Sequence, residues 1–600
     1  MGAGEHFGAV DYGMLAVTML ASVAIGVYHG IKGNKTAVDF SMGSRSMTPF
    51  PVSLSLLATF LSANSILGYS GEVYAHGSVL AWSILGTALA IVFAGEVVLP
   101  VLHPLKFVSP NQYLEVRFGS AWLRRLSMTM SLVSITVFMG LALYAPTLAL
   151  AAVTPLSSTT FIWIMGVVVT LYSSFGGLKA VVWADAFQML LMTAGVLLVT
   201  VMSCVEVGGV QKVWQVAYQG GRTEGLDISA DPRVRHTVWN VILMTLVNWG
   251  SHYSVSQANY QRVSSVATLS QAKRVLYYNV VGMTLFMLLV FFMGLGVYAV
   301  YADCDPFARG FIFSKDQISV YFVNDKLKNL TGVPGVFVAA LLSAALSSLS
   351  SGVNTLATLL WGDVFSHTPC FRGCSDFVAA TANKVLTVLL GATIIGLAFL
   401  ASKLGGLIQA GYTVVGVMSG PILGVYLLGL MVPFCNKRGA FAGLLSSYIL
   451  CVWIAVGGFL TNTTKPPMLP FSTAGCPANS TVTTFISLAD ANKTIINTPG
   501  STFSILYSIS YTFYPFIGLA TCLIVGILVS IIASYQDPRT VPSELVLFCV
   551  RRFTKKESDV DNGVSCIRIE SLKNNINYSK EDGMATTRNN DKLDIISDRL

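Results

Sequence analysis

The chain has 600 residues, of which 54% are hydrophobic and only 11% are charged, whereas a soluble domain averages about 25% charged. That balance excludes a water-soluble globular domain. The net charge of +8 is no sign of nucleic-acid binding, because Lys and Arg gather in alternate connections between apolar runs.

Apolar length predicts spans at about 9–30, 49–70, 79–102, 126–152, 158–175, 184–207, 236–257, 275–301, 335–360, 380–402, 408–431, 439–461 and 506–533. Each is long enough to cross ~30 Å of hydrocarbon, and only helices can do so with every backbone group paired. The prediction is an all-α polytopic membrane protein of about thirteen helices. Acidic residues (Glu5, Asp11) rather than a basic segment accompany the first span, which reads as a retained helix and not a signal peptide. Span 49–70 is interrupted by Ser62-Ala-Asn-Ser65, with Gly68 following. Glu96 lies in the next span, facing either an aqueous cavity or the basic interface; the interface reading is preferred. Span 236–257 contains Asn248-Trp-Gly-Ser-His-Tyr-Ser254 and is expected to break there. The two interrupted spans lie five apart, which predicts a 5+5 inverted repeat over about 49–207 and 236–431, with a solute site near the midplane.

Span 335–360 carries SAALSSLSSGVN (343–354). Ser343, Ser347, Ser350, Ser351, Asn354 and Thr358 share one helical face. Most of this stripe suits interhelical hydrogen bonding. The adjacent pair Ser347 and Ser348, with the Ala344 carbonyl and carbonyls of a broken helix opposite, suits an oxygen cage for Na⁺, a hard cation.

Basic residues cluster at Lys32, Lys35 and Arg45, at Lys106 to Arg125, at Lys179, at Arg262 to Arg274, at Lys437 and Arg438, and at Arg551 to Lys556. The positive-inside rule places these in the cytoplasm, with the N-terminus outside and the C-terminus inside. The sequons at Asn329, Asn462, Asn479 and Asn492 then fall outside, as glycosylation requires. Asn34 and Asn577 fall inside. Cys304 and Cys476 are a candidate disulfide in the outer connections; Cys370 and Cys374 have no nearby His set for a metal. Residues 536–600 turn polar and read as a disordered cytoplasmic tail. Its end, Asp598-Arg-Leu600, is either a weak PDZ-type contact or a solvated terminus, the latter preferred.

The motifs LSLLATFLSANSILGYSGEVYAHG (54–77), FMGLALYAPTLAL (138–150), LYSSFGGLKAVVWADAFQ (171–188), DPRVRHTVW (231–239), SLSSGVNTLAT (348–358) and GPILGVYLLGL (420–430) carry a resemblance. The chain resembles the sodium/solute symporters, in the branch of the sodium-dependent multivitamin, sodium-coupled monocarboxylate and sodium/iodide transporters, over roughly 9–535. DPRVRHTVW is similar to the multivitamin members. The resemblance implies a LeuT-type fold and Na⁺-driven alternating access in the plasma membrane, with Na⁺ as coupling ion and no other cofactor or metal. It implies a sodium site from the Ala58, Leu61 and Ala344 carbonyls and the Ser347 and Ser348 hydroxyls, with Asp185 on the sodium exit route. Ser65 and Tyr144 match positions facing the substrate or a second sodium, and Gln409, beside the opening of span 408–431, is a further substrate candidate. The chain departs from the branch at Asn64 and over 248–254, which makes Trp249 and His252 further substrate candidates.

The expected partners are Na⁺, a small organic anion and the bilayer. A monocarboxylate or a carboxylate vitamin (biotin, pantothenate) is preferred over iodide, and a channel or non-transporting sensor is the rival class. No metal-spaced His/Glu set, nucleophile motif or phosphate-binding loop suggests an enzyme.

Overall fold

The computed structural model describes residues 8–33, 43–154, 156–369, 371, 374–401, 407–461, 468–476, 506–533 and 535–554, and among these the secondary structure is helical with no strand. The helices are α1 (Ala9–Gly33), α2 (Pro49–Phe60), α3 (Ala63–His76), α4 (Ser78–Leu102, with a π-helical turn at Ala94–Val98), α5 (Asn111–Phe118), α6 (Ala121–Val153), α7 (Ser158–Val207), α8 (Val210–Gln219), α9 (Val238–Val255), α10 (Gln257–Val263), α11 (Leu269–Val300), α12 (Ile318–Lys326), α13 (Val333–Asp363), α14 (Asp376–Ala401), α15 (Leu407–Met431), α16 (Lys437–Thr461) and α17 (Tyr514–Ala533). Among the described residues nine are long and apolar enough to cross a membrane, or ten if α2 and α3, bent by 58° at their junction, count as one span. The expected spans 9–30 and 158–175 contain shorter apolar stretches, Ala9–Ile25 and Ser158–Thr170.

The serine-bearing helix α13 is the axis of the molecule. In its apolar window 94% of residues are buried, against 22% in α17, so α13 is walled by protein and α17 faces lipid. Helices α7, α6, α14, α1 and α2 surround α13, while α15, α16 and α17 pack as a group and α9 bridges α4 to α15.

The sequence correctly marked the first break. Pro49 starts α2 in its first turn, and the helix stops at Leu61 and Ser62, both extended (ψ 97° and 171°). The second expected break is absent: α9 is helical from Val238 to Val255. Several of its polar groups bond to a neighbouring helix or to the helix's own carbonyls without opening the backbone. Asn248 accepts from Ser419 Oγ on α15, His252 Nδ1 engages the Asn248 carbonyl at 2.8 Å, and Ser256 Oγ donates to the His252 carbonyl at 2.6 Å. The interruption falls at Ser256, the N-cap of α10, whose hydroxyl accepts from Asn259 N at 3.2 Å.

Helix α7 runs unbroken through the connection expected between spans 158–175 and 184–207. Fifty residues of straight helix would measure about 75 Å. Along its length Thr170 meets Gly391 of α14, and Ser203 meets Gly296 of α11. The start of the expected disordered tail is also built into the fold. Leu545, Val546 and Leu547 are buried, Tyr113 donates to the Leu545 carbonyl at 2.9 Å, and Leu547 N donates to the Leu430 carbonyl at 3.0 Å. Residues 555–600 lie outside the described residues.

Candidate functional site

A helix that stops leaves its last carbonyls without intrahelical donors. At the end of α2 two of these meet α13. Ser347 Oγ donates to the Ala58 carbonyl at 2.8 Å and lies 3.2 Å from the Ala344 carbonyl. Ser348 Oγ donates to the Thr59 carbonyl at 3.0 Å. Ala58, Leu61, Ala344, Ser347 and Ser348 are all buried. The sequence reading named Ala58 and Leu61 on α2, whereas the serine pair engages Ala58 and Thr59. The extended Leu61 ends the same turn, and its N–H still reaches the Leu57 carbonyl at 2.9 Å.

One to two turns toward the basic connections lies Asp185 on α7. Its Oδ2 accepts from Ser55 Oγ at 2.7 Å and Ser351 Oγ at 3.2 Å. It also takes Arg262 NH2 of α10 at 3.0 Å. The guanidinium reaches Ser55 Oγ at 2.9 Å and Ser351 Oγ at 2.6 Å. Asp185 and Arg262 are buried together, so α10 is locked to α2, α7 and α13 at this point.

On the other side of the break is a cavity of about 150 Å³. Ser65, Trp249 and His252 line it; Tyr144 and Gln409 do not. Phe60, Ile135, Phe138 and Met139 give it apolar walls, and Ser348 puts the serine pair on its rim. Ser62, Asn64, Asn248 and Thr355 also line it. Each presents a buried polar side-chain atom that has no hydrogen-bond partner among the described residues. Buried polar groups are normally bonded, so these atoms have hydrogen-bonding capacity left for water or another polar molecule. The N-terminus of α3 lies at the same wall, and its positive end favours negative charge.

The roof of the cavity is a contact between the hydroxyls of Tyr69 (α3) and Tyr412 (α15). One turn above it lies Glu72, fully buried. Its carboxylate takes Arg235 Nε at 3.0 Å and NH2 at 3.2 Å, Lys315 Nζ, and His76 Nδ1 at 3.3 Å. Gln409 is here, accepting from Arg235 NH1 at 2.9 Å. Tyr144 is partly buried on α6, within electrostatic reach of Asp316.

The serine pair thus crosses a broken helix beside a buried cavity in an all-helical membrane bundle. The model of the Sodium:solute symporter family matches residues 40–446. The chain belongs to that family. This member is 34% identical over 554 residues to sodium-coupled monocarboxylate transporter 2 of Bos taurus, covering 91% of this chain and 88% of that protein. It is 36% identical over 540 residues to sodium-coupled monocarboxylate transporter 1 of Mus musculus, covering 87% and 86%. It is 38% identical over 533 residues to a Drosophila melanogaster protein with the provisional name sodium-dependent multivitamin transporter, covering 87% and 86%. Its fold superposes on a solved Na⁺-coupled sialic acid symporter with a TM-score of 0.69 at 20% identity, covering 88% of this chain and 99% of that one, which is a likeness of fold.

In this family member the remaining sequence expectations fall as follows. Glu96 pairs with Lys273 at 2.7 Å and accepts from Tyr277 at 2.5 Å on an exposed face, away from the cavity. Cys304 and Cys476 are joined as a disulfide. Around it Asp305 N donates to the Ser472 carbonyl and Gly475 N to the Asp303 carbonyl, both at 2.9 Å. Burial raises the Asp305 carboxyl above its ordinary range, and Tyr74 donates to it. Asn329 is exposed; Asn462, Asn479 and Asn492 lie outside the described residues, as does Cys370. The sequence reading missed Thr59, Arg262, Tyr69, Tyr412, Glu72, Arg235 and Lys315. Glu72 had a signal: an acid inside an apolar helix is functional by default.

Proposed function

We propose that the chain is a Na⁺-coupled symporter that carries a small organic anion across the plasma membrane by alternating access. The preferred solutes are a monocarboxylate or a carboxylate vitamin such as biotin or pantothenate. The observation that carries this reading is the pair of hydroxyl–carbonyl contacts between Ser347 and Ser348 on α13 and the freed Ala58 and Thr59 carbonyls on α2. These oxygens are neutral, buried and hard, which suits a cation held weakly enough to be released. Rotation of the two hydroxyls turns their lone pairs inward, and Na⁺ then replaces the two hydrogen bonds as the tie between α2 and α13. Coupling is the difference in Na⁺ affinity between conformations that keep this tie and those that part it.

The cavity beside the ion site supports the organic anion. Its apolar walls take a hydrocarbon body, and the unpartnered Ser62, Asn64, Asn248 and Thr355 groups take a polar head. Among the described residues no Lys or Arg lines it. The α3 N-terminus and the bound Na⁺ supply the positive field. Trp249, His252 and Ser65 contact the solute. With the basic connections in the cytoplasm, Na⁺ leaves past Asp185.

The test is uptake in cells expressing the chain, with biotin, pantothenate, lactate, nicotinate, iodide and glucose measured side by side, with and without Na⁺. Accumulation of at least one organic anion above its bath concentration, and only with Na⁺, is the expected result. Equilibration without concentration would make the chain a channel. Selective iodide accumulation would make the organic-anion assignment wrong.

A further inference from the structure

The described residues lining the cavity offer an anion no formal positive charge, yet two half-buried cations sit one turn above its roof. We propose that Arg235, with Gln409 beside it, is an external docking site for a small carboxylate, which Glu72 occupies in the closed arrangement. This rests on the symport reading above and names where its anion first binds.

Arg235 is anchored away from α3. Its carbonyl accepts from Ser510 Oγ at 2.8 Å, its guanidinium lies 5.4 Å from the Tyr511 ring centre, and Gln409 holds NH1. Its link to α3 is Glu72. Lys315 instead rides on α3: a Cβ at Gly71 would lie 2.8 Å from the Lys315 carbonyl oxygen. Asp316, next to Lys315, also acts on the Arg235 charge. The closed cluster therefore sets two acids, Glu72 and Asp316, against two bases, Arg235 and Lys315. Opening the roof means parting Tyr69 from Tyr412, which moves α3 from α15. Glu72, Lys315 and Asp316 go with α3, and Arg235 stays with one uncompensated charge. Its planar fork fits a carboxylate bidentately and has no such match in a neutral amide. Tyr69 is three residues from Glu72 and Tyr412 three from Gln409, about 4.5 Å along each helix, so a docked anion stands directly over the cavity entrance.

The experiment uses Q409C on whole cells, with two impermeant thiol reagents of opposite charge, an ethylsulfonate and an ethyltrimethylammonium methanethiosulfonate. Rates in cells expressing the chain without Q409C are subtracted. The expected result is faster reaction with the anionic reagent, by about tenfold, the low end of electrostatic focusing in a cleft. The bias disappears with R235Q and survives R235K. Nicotinate slows the reaction and nicotinamide does not. Equal bias in the Arg235 and R235Q backgrounds, or equal protection by acid and amide, would overturn the docking site. Loss of Na⁺-dependent uptake in the panel above with the bias intact would overturn the symport reading alone.

Discussion

Arg262 and Asp185 form a buried ion pair at 3.0 Å that lies between the serine pair and the basic face. A cation leaving the proposed site at Ser347 and Ser348 by that route passes both charges of this pair. Removing one partner of a buried pair strands the other charge, at about 3–5 kcal/mol. Arg262→Gln is expected to lose stability on that scale, and adding Asp185→Asn to it is expected to recover much of it. Thermal unfolding of the purified protein in detergent, arranged as a double-mutant cycle, reads the coupling; additive losses would contradict it.

Ser347→Ala and Ser348→Ala each delete one oxygen from the proposed ion cage. A hydrogen bond or ligand oxygen contributes about 1 kcal/mol, so the Na⁺ concentration for half-maximal uptake should rise about fivefold for each. Surface biotinylation should change less than the Na⁺ dependence does. Unaltered Na⁺ activation in both variants would remove the site.

Gly71 is the point where α3 touches the loop before α12. Gly71→Ala gains helix propensity, worth about 1 kcal/mol, but its Cβ meets backbone, the Lys315 carbonyl at 2.8 Å. Overpacking of that kind costs about 1–3 kcal/mol, so the variant should melt lower and transport less. Gly13→Ala in α1 meets nothing within 4 Å and should melt no lower than the natural chain. If both substitutions shift the melting temperature alike, the close approach is not what constrains Gly71.

The Cys304–Cys476 disulfide joins residues 172 apart. In the chain-entropy picture such a closure stabilises by at most about 5 kcal/mol. A reducing agent should lower the melting temperature of the natural chain and leave Cys304→Ser with Cys476→Ser unchanged. A shift of equal size in both would place the effect elsewhere.

The class, the broken α2–α3 pair and the serine pair were legible in the sequence because each is local: an apolar run, a polar interruption within it, and adjacent hydroxyls. The second break was misread because polar residues within a span show only that partners are needed. Ser419, 171 residues from Asn248, supplies one from another helix, and α9 stays intact. The two ion clusters join residues 77 apart for Arg262 and Asp185 and 163 apart for Arg235 and Glu72. No spacing rule reaches across such separations. Gln409, picked out as a solute contact, accepts from Arg235 NH1 at 2.9 Å, a partner 174 residues away that no local pattern names.

The segment that carries Leu545 to Leu547 has a practical consequence. Tyr113 and Leu430 hold it against the basic end of the bundle, so the folded unit continues past the last membrane helix to Thr554. A fluorescent reporter fused after residue 535 would replace part of this docked segment, and its signal would report a damaged protein. A reporter placed after Thr554 keeps the segment seated.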